Sequence, residues 1–161
     1  MAKVTDAGLA SGATAFATNT LEIAVAPGNP EKISSLQSLT ARGLTVVLCA
    51  AEVPCGSAAQ KLLSTAGVAL TPASEEQNVT AVLTKVRSGE ADAGLVYRTD
   101  VTAAGDAVTG VEIDGADAAT NVYPIVALAG APNPEAARAF VAFVLSADGQ
   151  KVLKSFGFGA P

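Results

Sequence analysis

Cys49, Cys55, Tyr97 and two stretches that read as helix starts are the places in this sequence where chemistry could be done, and there is no histidine to help them. Without histidine the chain lacks the usual general base, the usual zinc ligand and every Ser-His or Cys-His nucleophile pair. That composition argues against an enzyme, with no catalytic residue and no directly ligated metal ion expected. Cys49 and Cys55 are the only cysteines. Their spacing fits a short disulfide in an exported protein and equally two free thiols in a cytosolic one. A dithiol oxidoreductase needs a two-residue spacing and a basic neighbour to lower a thiol pKa, and neither is present. Asp92 and Asp100 are too far apart, and out of helical register, to work as paired carboxylates.

The formal net charge is -5 and no basic cluster occurs, which excludes a nucleic-acid surface. A small anion is not excluded. Helix starts offer backbone N–H groups without internal partners, and the helix dipole favours negative charge there. Cys55-Gly56-Ser57 and Gln77-Asn78-Val79 both fall at predicted helix starts, and Gly56 would let the backbone come close to a ligand. Glu75 and Glu76 look unhelpful for an anion and read as capping and dipole-compensating acids. Val79 reads as a first-turn valine with a core side chain, so only its N–H could serve a ligand. Tyr97 closes an apolar run, at the kind of strand end where open α/β sheets collect ligands.

The elements that must position these residues alternate between strand and helix, which predicts an α/β fold with a largely parallel sheet. Strands are expected at Leu21–Val25, Leu44–Leu48, Val68–Leu70, Ala93–Tyr97, Val108–Ile113 and Val122–Leu128. Asn29-Pro30-Glu31 predicts a short helix running through Leu39. A second helix starts at Pro54-Cys55-Gly56-Ser57 and closes at Gly67, and a third follows the capping-box pattern Ser74–Gln77 and stops at Gly89. Asn133-Pro134-Glu135 and Ser146 each cap a further helix. Tyr123-Pro124 reads as a hinge, with an ordinary trans bond expected.

At 161 residues the chain is long enough for one domain, or one and a piece of another, and half of it is hydrophobic. The opening residues, Met1–Asp6, carry no charged-then-apolar pattern, so an export signal has been removed or was never there.

The phrases Asn19–Pro30, Glu52-Val53-Pro54-Cys55-Gly56, Asn78-Val79, Gly94–Asp100, Val122-Tyr123-Pro124-Ile125 and Phe156-Gly157-Phe158 resemble, in order, the molybdate/tungstate-binding proteins of ABC importers. Each phrase alone is weak, but six in the family's order are specific. The resemblance implies a type II periplasmic-binding-protein fold: a complete second lobe with a mixed, mainly parallel sheet, plus C-terminal helices of an incomplete first lobe. It divides the chain into 1-19 (end of the first lobe's N-terminal half), 20-122 (second lobe with crossing strands) and 123-161 (remainder of the first lobe).

The resemblance also implies a ligand set. The loop N–H falls on Cys55, the valine N–H on Val79 and the hydroxyl on Tyr97, with Gly56 and Asn78 in support. A Cys49–Cys55 disulfide would be compatible with that role. The family's two first-lobe serines have no counterpart, so the chain reads as N-terminally truncated. The ligand would be molybdate or tungstate, with no cofactor, and the partner an ABC permease in the membrane. The full-length parent would be extracytoplasmic. A cytoplasmic oxyanion-sensing module and an inactive receptor fragment are the alternatives. The apolar face of the tail helices (Phe140, Phe143, Val144 and Leu153) further suggests self-association.

Overall fold

Every residue of Leu21–Val25 is buried, Glu22 included, which marks this strand as the centre of a sheet. The computed structural model describes residues 1–161. Its elements in chain order are α1 (Ala2–Asp6), β1 (Thr14–Asn19), β2 (Leu21–Val25), β3 (Val46–Cys49), α2 (Pro54–Thr65) and β4 (Ser74–Glu76). There follow α3 (Val79–Ser88), β5 (Ala93–Tyr97), α4 (Arg98–Ala104), β6 (Thr109–Val111), β7 (Asn121–Ile125), α5 (Pro134–Leu145) and α6 (Ala147–Ser155). Two compact units result: Asn19–Asn121, and the segments Met1–Thr18 and Val122–Pro161 together.

The Asn19–Asn121 unit is an α/β sandwich on a five-stranded mixed sheet of order β4-β3-β5-β2-β6. β3 pairs parallel with β4 and β5, whereas β2 pairs antiparallel with β5 and β6. Strand alternation sends neighbouring side chains to opposite faces. Leu21, Ile23, Val25 and Leu95 join Leu62 and Leu63 of α2 in one core cluster. Ala24, Val47 and Val96 join Val82 and Val86 of α3 in the other. Gly94 lets α3 approach closely, since a Cβ there would lie 2.5 Å from Val82 Cγ1. Truncating any of these buried leucines or isoleucines to alanine should cost about 2–5 kcal/mol.

Three sequence expectations fail here. No helix follows Asn29-Pro30-Glu31; only a 3-10 turn forms, at Gln37–Thr40. The Asn29 carboxamide accepts from Ile33 N–H and donates to Ile33 carbonyl, and Asn29 and Lys32 both take positive φ, so the segment closes as a loop. Residues 68–70 form no strand, although Val68 is buried in the α2 cluster. The parallel partner of β3 lies instead at Ser74–Glu76, where a capping box was expected. Glu76 does not cap α3: its carboxylate pairs with Lys85 and accepts from Ser74. Those contacts, the Lys85 hydrogen bond first, hold its pKa below the ordinary carboxylate value. α3 is capped by Asn78 and closed by Gly89 at φ 76°.

In the other unit β1 and β7 form a two-stranded sheet, and Thr18 exchanges backbone hydrogen bonds with Gly159. Phe16, Tyr123 and Phe158 stack edge to face, with centroids 6.3 and 5.7 Å apart. Asn133 and Ser146 cap α5 and α6 through Ala136 N–H and Gly149 N–H. α5 buries none of its residues, and Phe140, Phe143 and Phe156 are exposed. All peptide bonds are trans, Tyr123-Pro124 included. No helix is long and apolar enough to cross a membrane.

Candidate functional site

The register of the parallel strands brings the C-terminal ends of β3, β4 and β5 to one edge of the sheet. Cys49, the last residue of β3, lies opposite Glu76, the last of β4, and Val47 lies opposite Gly94 of β5. Beyond that edge the chain enters α2, α3 and, through Tyr97, α4. Cys55, Val79 and Tyr97 therefore belong to a single apolar cluster, together with Cys49, Val82 and Val96. The carboxyl edge of a parallel sheet, lined by helix starts, is where such folds bind ligands.

α2 begins with Pro54, which has no N–H, so the first donors are Cys55 and Gly56; Ser57 N–H already bonds Val53 carbonyl at 3.0 Å. The Cys49 and Cys55 sulfurs are joined as a disulfide (S–S 2.11 Å, Cα–Cα 5.7 Å), tying the end of β3 to this first turn. A Cβ on Gly56 would fall 1.9 Å from Ala50 carbonyl oxygen. The close backbone approach that Gly56 permits is thus to the chain's own β3–α2 loop.

α3 presents the N–H groups of Val79 and Thr80 at its start. The Asn78 side-chain oxygen accepts from Ala81 N–H at 2.9 Å, so Asn78 orients the turn while the Val79 side chain packs inward. α2 and α3 have 12 and 10 residues, enough for each N-terminus to carry the partial positive charge of the helix dipole.

The end of β5 at Tyr97 is anchored by backbone and side-chain bonds. The Tyr97 backbone N–H donates to Asp100 Oδ2 at 2.9 Å, Arg98 N–H beside it donates to Thr20 carbonyl at 3.0 Å, and Asn121 Nδ2 donates to Tyr97 Oη at 2.6 Å. Burial raises the Asp100 pKa, and the bond from Tyr97 N–H offsets part of the rise. Asp92 lies at the opposite end of β5 and accepts from Thr45 N–H, so the two aspartates do separate jobs.

Sequence reading missed two asparagines. Asn121 lines a cleft of about 220 Å³ with Pro54 and Ser57 of the first turn of α2 and Lys61 further along it. Asn19, only 3% exposed, donates to Thr99 Oγ1 at 2.9 Å, and its side-chain oxygen meets no protein donor. Both act on the β5–α4 junction from far away in sequence. The only signal was a polar residue at a strand end. No grouping of His, Cys, Asp and Glu is arranged to hold a metal ion.

Comparisons with known proteins agree on one family. The family model described as bacterial extracellular solute-binding protein matches residues 1–159. Molybdate-binding protein ModA of Mycobacterium tuberculosis and of Mycobacterium bovis is 47% identical over 162 residues, covering 100% of this chain and 62% of the relative. The chain thus spans less than two thirds of the length of these relatives. Among solved structures, one described as the substrate-binding domain of a putative molybdenum ABC transporter from Clostridium difficile superposes with a TM-score of 0.83 at 27% identity. It covers 100% of this chain and 72% of its own. The Azotobacter vinelandii periplasmic molybdate-binding protein superposes with a TM-score of 0.73 at 16% identity, over 99% of this chain and 74% of its own, a likeness of fold alone. With its type II α/β architecture and a family match from end to end, the chain belongs to the bacterial extracellular solute-binding proteins.

Proposed function

We propose that this chain supplies the oxyanion-binding elements of a molybdate or tungstate receptor for an ABC importer. The observation that carries the reading is the gathering of two helix starts and one phenol at a single sheet edge. Molybdate is a tetrahedral dianion and asks for donors from several directions. N–H groups at Cys55, Gly56 and Val79 and the Tyr97 hydroxyl are neutral donors, so the anion is held without burying an opposing full charge. Each hydrogen bond to a charged ligand contributes about 1.5–3 kcal/mol. In this reading Asn19–Asn121 is the second lobe, and the remaining segments belong to the first.

The 47% identity to ModA over the whole chain supports molybdate as the ligand. Sulfate has the same shape with shorter bonds, and discrimination rests on the fit of the cavity. The receptor role implies binding without turnover, a membrane permease as partner and no cofactor. The Cys49–Cys55 disulfide favours an extracytoplasmic setting over a cytosolic sensing role. Isothermal titration with molybdate, with sulfate as control, tests the reading. Saturable, molybdate-selective heat that Tyr97→Phe weakens about tenfold or more supports it. Equal heat from the two anions, or a Tyr97→Phe protein that binds as wild type does, contradicts it.

A further inference from the structure

A phenol hydroxyl has one proton to give and lone pairs to receive, so its neighbours decide where the proton points. At Tyr97 one neighbour is Asn121, whose amide nitrogen lies 2.6 Å from Oη. An amide N–H can only donate. The contact therefore occupies an acceptor position on Oη and turns the O–H away from Asn121. Had the side-chain oxygen of Asn121 faced the phenol instead, it would have drawn that proton to itself.

From this contact we infer that Asn121 is a positioning residue that orients the Tyr97 hydroxyl as a donor toward the anion. The inference rests on the reading of Tyr97 as an anion ligand. It also accounts for the way residue 121 is anchored. The 3-10 turn Ala116–Ala119 buries Ala119 in the cluster formed by Leu62 and Leu63 of α2. Thr120 then bonds Asp117 carbonyl through its hydroxyl at 3.0 Å, and Asn121 follows at the start of β7. Asn121 thus stands on the flank of the helix whose first turn carries the Cys55 and Gly56 donors, and beside the same cleft. From there its side chain reaches the hydroxyl at the end of β5. One amide sets the third donor relative to the first two, which a tetrahedral ligand requires.

The test is a double-mutant cycle read by molybdate calorimetry, using Asn121→Leu, Asn121→Ala, Tyr97→Phe and the paired variants. Thermal unfolding selects whichever Asn121 variant folds as wild type does. In the wild-type background, loss of the Asn121 amide is expected to weaken molybdate binding about five- to tenfold, the size of one hydrogen bond. In the Tyr97→Phe background, the same change is expected to alter affinity less than about twofold, because no hydroxyl remains to orient. An Asn121 variant that binds as tightly as wild type while Tyr97→Phe is weakened overturns the inference alone. So does an equal loss in both backgrounds, which is what a general structural role would give. A wild-type chain that does not bind, or a Tyr97→Phe protein of unchanged affinity, overturns the site reading and the inference with it.

Discussion

Gly56 and Ala50 are packed so closely that a Cβ added to Gly56 would lie 1.9 Å from the Ala50 carbonyl oxygen and 2.6 Å from that of Cys49. Both obstacles are backbone, so neither can swing aside. Gly56→Ala must push the first turn of α2 away from the β3–α2 loop, at a cost of about 3 kcal/mol. Urea unfolding should show that loss, and molybdate affinity should fall with it because the displaced turn carries two of the donors. A Gly56→Ala protein of wild-type stability would show that α2 and the loop are not held this closely.

The disulfide closes a short loop over the same contact. Chain-entropy reasoning for a loop of roughly seven residues gives about 2 kcal/mol of stability, present only when the bond is formed. Cys49→Ala with Cys55→Ala should lose that amount by urea unfolding. Treating the wild type with a thiol reductant should reproduce the loss, with no further effect on the double variant. A double variant as stable as the oxidised wild type would contradict the assignment.

Asn78 caps α3 through Ala81 N–H, and its oxygen is committed to that bond. Asn78→Ala is expected to lose about 1 kcal/mol of stability, and Asn78→Asp to retain most of it. Thermal unfolding of the two variants checks this. Equal losses in both would mean that the cap contributes little.

Glu22 lies in the buried strand β2, 3.6 Å from Arg98. Burial raises its pKa above the ordinary carboxyl value; Arg98 lowers it in part, and Glu112 adds to the rise. A raised carboxyl value means that the folded state binds the proton more tightly than the unfolded chain does. The stabilisation is complete below the ordinary value of 4.5 and is lost as pH rises through the raised one. Asp100 acts in the same direction, whereas the partly buried Glu76 acts in the opposite one, above the ordinary value. Glu22→Gln should therefore stabilise the protein at neutral pH, where the wild-type carboxylate is held ionised against burial. It should also flatten the gain in stability that wild type shows on mild acidification. Urea unfolding at several pH values checks both effects, and a Glu22→Gln protein less stable at neutral pH would mean that the Arg98 attraction outweighs burial.

Local chemistry was legible where it was decided locally. Asn133-Pro134-Glu135 reads as a helix start and is one, because the Asn133 side chain reaches Ala136 N–H. Asn29-Pro30-Glu31 has the same letters and is a loop, because the Asn29 carboxamide clasps both backbone groups of Ile33. Similarly, Ser74–Gln77 has the letters of a capping box, but the short β3 needs a parallel partner and takes Ser74–Glu76 for it. Lys85 then claims the Glu76 carboxylate. The helix starts at Cys55 and Val79 and the strand end at Tyr97 were visible as local patterns. Asn121 was not, since its partner lies 24 residues earlier and the turn that anchors it has no strong signature.

Backbone N–H groups at two helix starts are the core of the proposed site, and amide resonances report on them one by one. The most direct measurement is a titration of the nitrogen-15-labelled chain with molybdate, against chloride at matched ionic strength. The account predicts saturable shifts of the Cys55, Gly56, Val79 and Thr80 amides that chloride does not produce. Saturable shifts confined to other residues, or none at these four in a folded chain, would contradict it.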